Sequence, residues 1–164
     1  MRVSSEQRRI LLGNPAGWMA VGFGSGLSPI APGTVGSLVA LLPWFLLREM
    51  SVWLYLAVLV AMFVVGVWAC QWVVARLHID DPSFVVWDEF VGQWIALIPL
   101  VVMPRSWLWI FVGFILFRIF DIWKPWPVSW ADRNVKGGVG VMLDDLIAGV
   151  YTAAALWLLS VLIR

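Results

Sequence analysis

Apolar residues run along this chain in long blocks, and charged residues gather near the block ends. Residues 52–74 carry no charge, and at ~1.5 Å per residue such a helix spans more than the ~30 Å core of a bilayer. Residues 85–103 carry Asp88 and Glu89 near their start. Residues 107–123 end in Arg118 and Asp121, and residues 139–163 carry Asp144 and Asp145 near their start. The shortest block, residues 35–47, contains Pro43 and reads as a tilted or half-inserted helix. The pattern predicts an all-α, polytopic membrane helical bundle of about five apolar helices, with a short or re-entrant first one.

Composition strengthens that picture. Of 164 residues, 62% are hydrophobic and 13% charged, with a mean hydropathy of +0.92. A soluble domain of this size leaves much of its surface in water and could not hide so much apolar area. Residues 1–164 therefore read as a single membrane-embedded domain. Arg8 and Arg9 precede apolar residues, but Gly13, Asn14, Pro15 and Gly17 interrupt them, so no clean signal-peptide core follows. Residues 1–14 are expected to form a short basic cytoplasmic tail. The net charge of +1 offers no basic field for a nucleic acid, and the lone Cys70 cannot form an internal disulfide.

Charge placement sets an orientation. With the N-terminus in the cytosol and five crossings, Arg2, Arg8, Arg9, Arg76, Arg118, Lys124, Arg133 and Lys136 fall on the cytosolic side. Arg48, Arg105 and Arg164 fall opposite, and eight basic residues against three fits the positive-inside rule. The same arrangement brings Asp88, Glu89, Asp121, Asp144, Asp145 and the glycine-rich residues 22–36 to one cytosolic membrane face.

Carboxylates inside apolar helices are costly, which makes them candidates for function. Clustered acids need positive charge among them, and hard oxygen donors suit Mg²⁺ or a related divalent cation. The alternative is structural pairing with Arg118, Lys124 or Arg133. Arg118, Asp121 and Lys124 follow one another at i, i+3 and i+6 before Pro125, a cation–anion–cation row suited to a phosphate and a metal, or to plain interfacial anchoring. Gly33-Thr34-Val35-Gly36-Ser37 offers free N–H groups and a hydroxyl at a helix start, or a simple N-cap at Thr34. Cys70 and Arg76 match the cysteine-phosphatase spacing, yet they continue an apolar helix whose N–H groups are already bonded. His78 reads as a loop residue.

Four blocks carry a family resemblance: residues 22–34, residues 86–92 around Asp88-Glu89, residues 117–127 around Arg118 and Asp121, and residues 132–149 from Asp132-Arg133-Asn134 through Asp144-Asp145. In this order they strongly resemble the phosphatidylglycerophosphatase A family, over about residues 14–157. The resemblance implies an all-helical, Mg²⁺-dependent inner-membrane hydrolase that converts the lipid phosphatidylglycerophosphate to phosphatidylglycerol and phosphate. It implies Asp88, Glu89, Asp144 and Asp145 as metal ligands, with Asp121 as ligand or base. Arg118, Lys124 and Thr34 would hold phosphate oxygens, with Arg133 and Lys136 as further candidates. A metal-activated water is the expected nucleophile, and an aspartyl-phosphate route is the alternative. A cation transporter would need polar groups through the membrane, which residues 52–74 lack. A headgroup transferase would need an acidic signature that is missing here.

Overall fold

The structure, a computed structural model, describes residues 3–103 and 106–163. Arg2, Arg105 and Arg164 of the charge count lie outside them. Among the described residues the secondary structure is helical throughout: α1 (Ser5–Leu12), α2 (Pro15–Ala20), a 3₁₀ turn (Gly22–Leu27), α3 (Pro32–Leu47), α4 (Val52–Leu77), α5 (Trp87–Ala96), α6 (Pro99–Val102), α7 (Trp107–Trp123), α8 (Val128–Asn134) and α9 (Gly137–Leu162).

Two helices, α4 and α9, are long and apolar enough to cross a bilayer. At 26 residues each they reach ~39 Å, against the ~30 Å core. Only 22% of the most apolar stretch of α4 and 33% of that of α9 is buried, unlike the core helix of a soluble protein. Trp53, Val60, Val64 and Trp68 of α4 and Leu108, Phe111, Ile119 and Ile122 of α7 are all exposed. Such a surface fits acyl chains rather than water and associates the chain with a membrane.

The five expected crossings are thus only partly matched. The block at 85–103 is two pieces, because Pro99 has no N–H to continue the ladder from α5 and begins a separate single turn, α6. At 16 and 17 residues, α3 and α7 reach only ~25 Å. Residues 5–12, expected to be tail, form a helix closed by a capping box at Ser4 and Gln7, with Leu11 fully buried.

What positions the site is a close crossing of α5 and α9, around which α4, α7 and α8 also pack on α9. A Cβ at Gly92 would lie 2.8 Å from the Asp145 carbonyl oxygen, and one at Gly149 would lie 2.6 Å from the Gly92 carbonyl oxygen. Each glycine follows a carboxylate by one turn, Asp88 before Gly92 and Asp145 before Gly149. Removing two side chains at the crossing lets the backbones touch, and that contact brings the acidic turns together.

Candidate active site

A cavity of about 380 Å³ opens at the end of the bundle where α5 and α9 begin and α7 ends. Five elements supply its walls. The first turn of α3 contributes Gly33 and Thr34, and the segment before α5 contributes Asp81 and Ser83. Asp88 and Glu89 come from α5, Arg118 and Asp121 from α7, and Asp144 and Asp145 from α9. Lys124 closes the set as the C-cap of α7, with φ 47° before the helix-stopping Pro125.

Local structure explains each placement. Asp88 and Glu89 occupy the first turn of α5, where the helix dipole favours negative charge. The Val86 N–H donates to the Ala20 carbonyl at 2.8 Å, fixing that turn against α2. Gly33 is the second residue of α3, and a Cβ there would strike Oε1 of Glu89 and approach Nη2 of Arg118 to 3.2 Å. Only a glycine lets the helix start lie against this ion pair. Pro32 and Gly33 open α3 after Ala31, which has φ 45°. The amides of Gly33 and Thr34 fall in the first turn, where N–H groups have no partner within the helix.

The charges are balanced unevenly. Nη1 of Arg118 donates to Oδ2 of Asp121 at 2.9 Å and to Oγ of Ser37 at 3.0 Å, and lies 3.9 Å from Oε1 of Glu89. Nζ of Lys124 donates to Oδ2 of Asp144 at 2.7 Å and to Oδ1 of Asp132. Burial pulls the Lys124 pKa down, but the bonds to Asp132 and Asp144 outweigh it and hold the ammonium above the ordinary lysine value. By contrast Oδ1 of Asp88, Oε2 of Glu89, Oδ2 of Asp145 and Nε of Arg118 are buried without a hydrogen-bond partner.

Two carboxylate trios result. One oxygen each from Asp88, Glu89 and Asp145 lie within 4.8 Å of one another, and so do oxygens from Asp121, Asp144 and Asp145. Asp145 belongs to both. Their all-oxygen donor set and their unpartnered buried oxygens fit a hard divalent cation.

Of the residues singled out in the sequence, Thr34, Asp88, Glu89, Arg118, Asp121, Lys124, Asp144 and Asp145 share this cavity. Lys136 is exposed beside a small neighbouring hollow that also touches Asp144, and Arg133 is exposed on α8 away from both. Cys70 is fully buried within α4, and His78 is exposed as its C-cap. Sequence reasoning gave no role to Asp81, Ser83 or Asp132. Asp132 had a readable signal in its place beside Arg133, whereas the reach of Arg118 to Ser37, 81 positions away, leaves none.

The profile of the family described as Phosphatidylglycerophosphatase A matches residues 18–160. The chain belongs to the phosphatidylglycerophosphatase A family. A relative of that name from Escherichia coli K12 is 46% identical over 152 residues, covering 93% of this chain and 87% of the relative. One from Haemophilus influenzae is 41% identical, covering 92% of each. A Bacteroides thetaiotaomicron protein named "Putative phosphatidylinositol-3-phosphatase" is 45% identical over 154 residues, covering 87% of this chain and 94% of its own. No solved structure matches the chain. Membership makes this chain a phosphatase, a hydrolase of phosphate esters.

Proposed function

We propose that this chain hydrolyses the phosphomonoester of phosphatidylglycerophosphate to phosphatidylglycerol and phosphate, in a multi-pass fold whose site faces the cytosol at the inner membrane. The observation that carries the reading is the convergence of buried, unpartnered oxygens of Asp88, Glu89 and Asp145 beside the unpartnered Nε of Arg118. The identities of 46% and 41% to the two relatives of that name support the substrate. The charge count of the sequence, eight basic residues against three if the chain crosses five times, supports the orientation. A lipid keeps its chains in the bilayer and presents its phosphate at headgroup level, where an interfacial cavity can take it.

Asp88, Glu89, Asp144 and Asp145 would hold Mg²⁺, with Asp121 completing the second trio. When bound, the cation supplies neutralising charge and makes water a stronger nucleophile near neutral pH. The protein's own groups do the rest. Arg118 Nε and the third N–H of Lys124 point donors at phosphate oxygens, and the free amides of Gly33 and Thr34 add an anion-binding helix start. Arg133 and Lys136, both exposed, draw anionic headgroups toward the face without touching the reacting phosphate. Water attacks phosphorus as the P–O bond to the glycerol breaks. Asp121, fixed by Arg118, takes the water's proton and passes it to the leaving glycerol oxygen, so the alcohol and inorganic phosphate are released.

The Bacteroides relative favours a second reading, in which a phosphoinositide is the substrate. Phosphate release by the purified chain with Mg²⁺, from phosphatidylglycerophosphate and from phosphatidylinositol 3-phosphate side by side, separates the two. Turnover of the first at a kcat/KM at least tenfold higher is expected. Preference for the second would move the chain to the alternative, and release from neither would overturn both.

A further inference from the structure

Between α3 and α7 lies another hollow of about 560 Å³, lined by Leu, Val, Ile, Phe and Trp side chains and open at the protein surface. Its volume falls within the ~300–1,000 Å³ of small-molecule pockets. The two helices touch at both of its ends and part between them. At one end the Phe45 and Trp107 rings meet at 5.3 Å between centroids. At the other, Arg118 donates to Ser37.

The hollow and the catalytic cavity lie on the same two helix stripes. On α3, Thr34 lines the cavity, and Leu38, Leu41 and Phe45 continue at steps of four, three and four residues along the hollow. On α7, Arg118 lines the cavity, and Phe114, Phe111 and Trp107 continue from it at the same steps in reverse. Residues at such spacing share one helix face. The apolar track therefore begins one turn from the groups that face the phosphate and runs away from them along the bundle.

We propose that this track seats one acyl chain of the lipid whose phosphate occupies the cavity. The inference rests on the lipid-phosphatase reading, because that reading supplies a ligand with a phosphate at one end and a hydrocarbon chain at the other. The chain leaves the headgroup past the Arg118–Ser37 bond and lies between α3 and α7, with Phe45 and Trp107 as a floor. Acyl chains elsewhere in the bilayer are as apolar as the track, so seating one there gains little binding free energy. The track instead fixes where the phosphate stands relative to the carboxylates.

Leu42 lines the track and is 69% exposed, so a larger side chain fills the hollow without disturbing the core. Leu42→Trp should lower kcat/KM on a dioleoyl phosphatidylglycerophosphate by about 3–10-fold while leaving a dihexanoyl analogue nearly unchanged. Val64→Trp, on the similarly exposed face of α4, should leave both unchanged. Independently of turnover, a phosphatidylglycerophosphate with a photoreactive group midway along one chain should crosslink mainly to α3 and α7, and Leu42→Trp should reduce that yield. Crosslinks spread evenly over exposed residues of α4, α7 and α9, or equal loss on both chain lengths in Leu42→Trp, would overturn the proposal. If the parent releases no phosphate from either lipid while the crosslinks still map to the track, the reading of phosphatidylglycerophosphate as substrate fails and the acyl seat stands.

Discussion

Lys124 stands between Asp132 and Asp144 at hydrogen-bond distance, whereas Asp88, Glu89 and Asp145 meet with no such lysine among them. Among the described residues, the cation within ion-pair reach of that second group is Arg118, 3.9 Å from Glu89 and already bonded to Asp121 and Ser37. The two groups adjoin at one cavity, lined by Lys124, Asp144, Asp88, Glu89 and Asp145, while Asp132 lines the neighbouring hollow. Beside Asp132 and Asp144 the fold placed an ammonium at bonding distance of both. Where it left three buried oxygens unpartnered, the proposed function brings positive charge from outside, since uncompensated buried carboxylates destabilise the folded chain.

The sharpest way to break this contrast is to neutralise the uncompensated trio. Asp145→Asn and Asp88→Asn should each lower lipid phosphate release by at least ~100-fold, comparable to losing one major electrostatic contact in an active site. Their melting temperatures in EDTA should equal or exceed the parent's, because a costly buried charge is gone. Melting curves and phosphate release on the same purified protein check both. A variant that melts well below the parent would mark the trio as a structural element.

Gly33→Ala should come next. Its Cβ would strike the Glu89 carboxylate, so turnover should drop by about 10-fold or more through displacement of that group, an effect like that of other small misplacements. The helix should tolerate alanine, and circular dichroism should be unchanged. Normal activity would show that Glu89 can move without cost.

In the balanced group, Lys124→Met should lower melting temperature by a few degrees, since it leaves Asp132 and Asp144 unpaired. Adding Asp132→Asn should recover part of that loss, a coupling that a double-mutant cycle measures. The raised Lys124 pKa carries a pH consequence. The ammonium is held by its carboxylates above the ordinary lysine value, so its contribution to stability is complete below that ordinary value and fades only as pH rises past the higher folded value. Melting temperature should therefore show no loss from Lys124 between pH 7 and about 10. The smallest effects belong to Cys70→Ser and His78→Ala, each expected within a few-fold of parental turnover.

Legibility in the sequence followed the same divide. The acids of α5 and α9 announce themselves because charge inside an apolar block is rare and local, and the Arg118–Asp121–Lys124 row is read from spacing on one helix. The break at Pro99 is visible in the same way, yet the length of the apolar block hides it. What local pattern cannot carry is pairing across the chain. Nothing near Lys124 says that it turns inward to Asp132 and Asp144, nor that Gly92 and Gly149 meet backbone to backbone to bring the acidic turns together. Arg133 and Lys136 stood behind Lys124 as candidates, and the fold leaves both exposed while Lys124 joins the cavity.

The central claim is that the Asp88–Glu89–Asp145 trio draws in a divalent cation that the reaction requires. Phosphate release from phosphatidylglycerophosphate by the purified chain, stripped with EDTA and then titrated with Mg²⁺, tests it most directly. Release should vanish on stripping and return to the starting rate as Mg²⁺ is restored, in the parent but not in Asp145→Asn. Full turnover in excess EDTA, with metal verified absent by elemental analysis, would contradict the account.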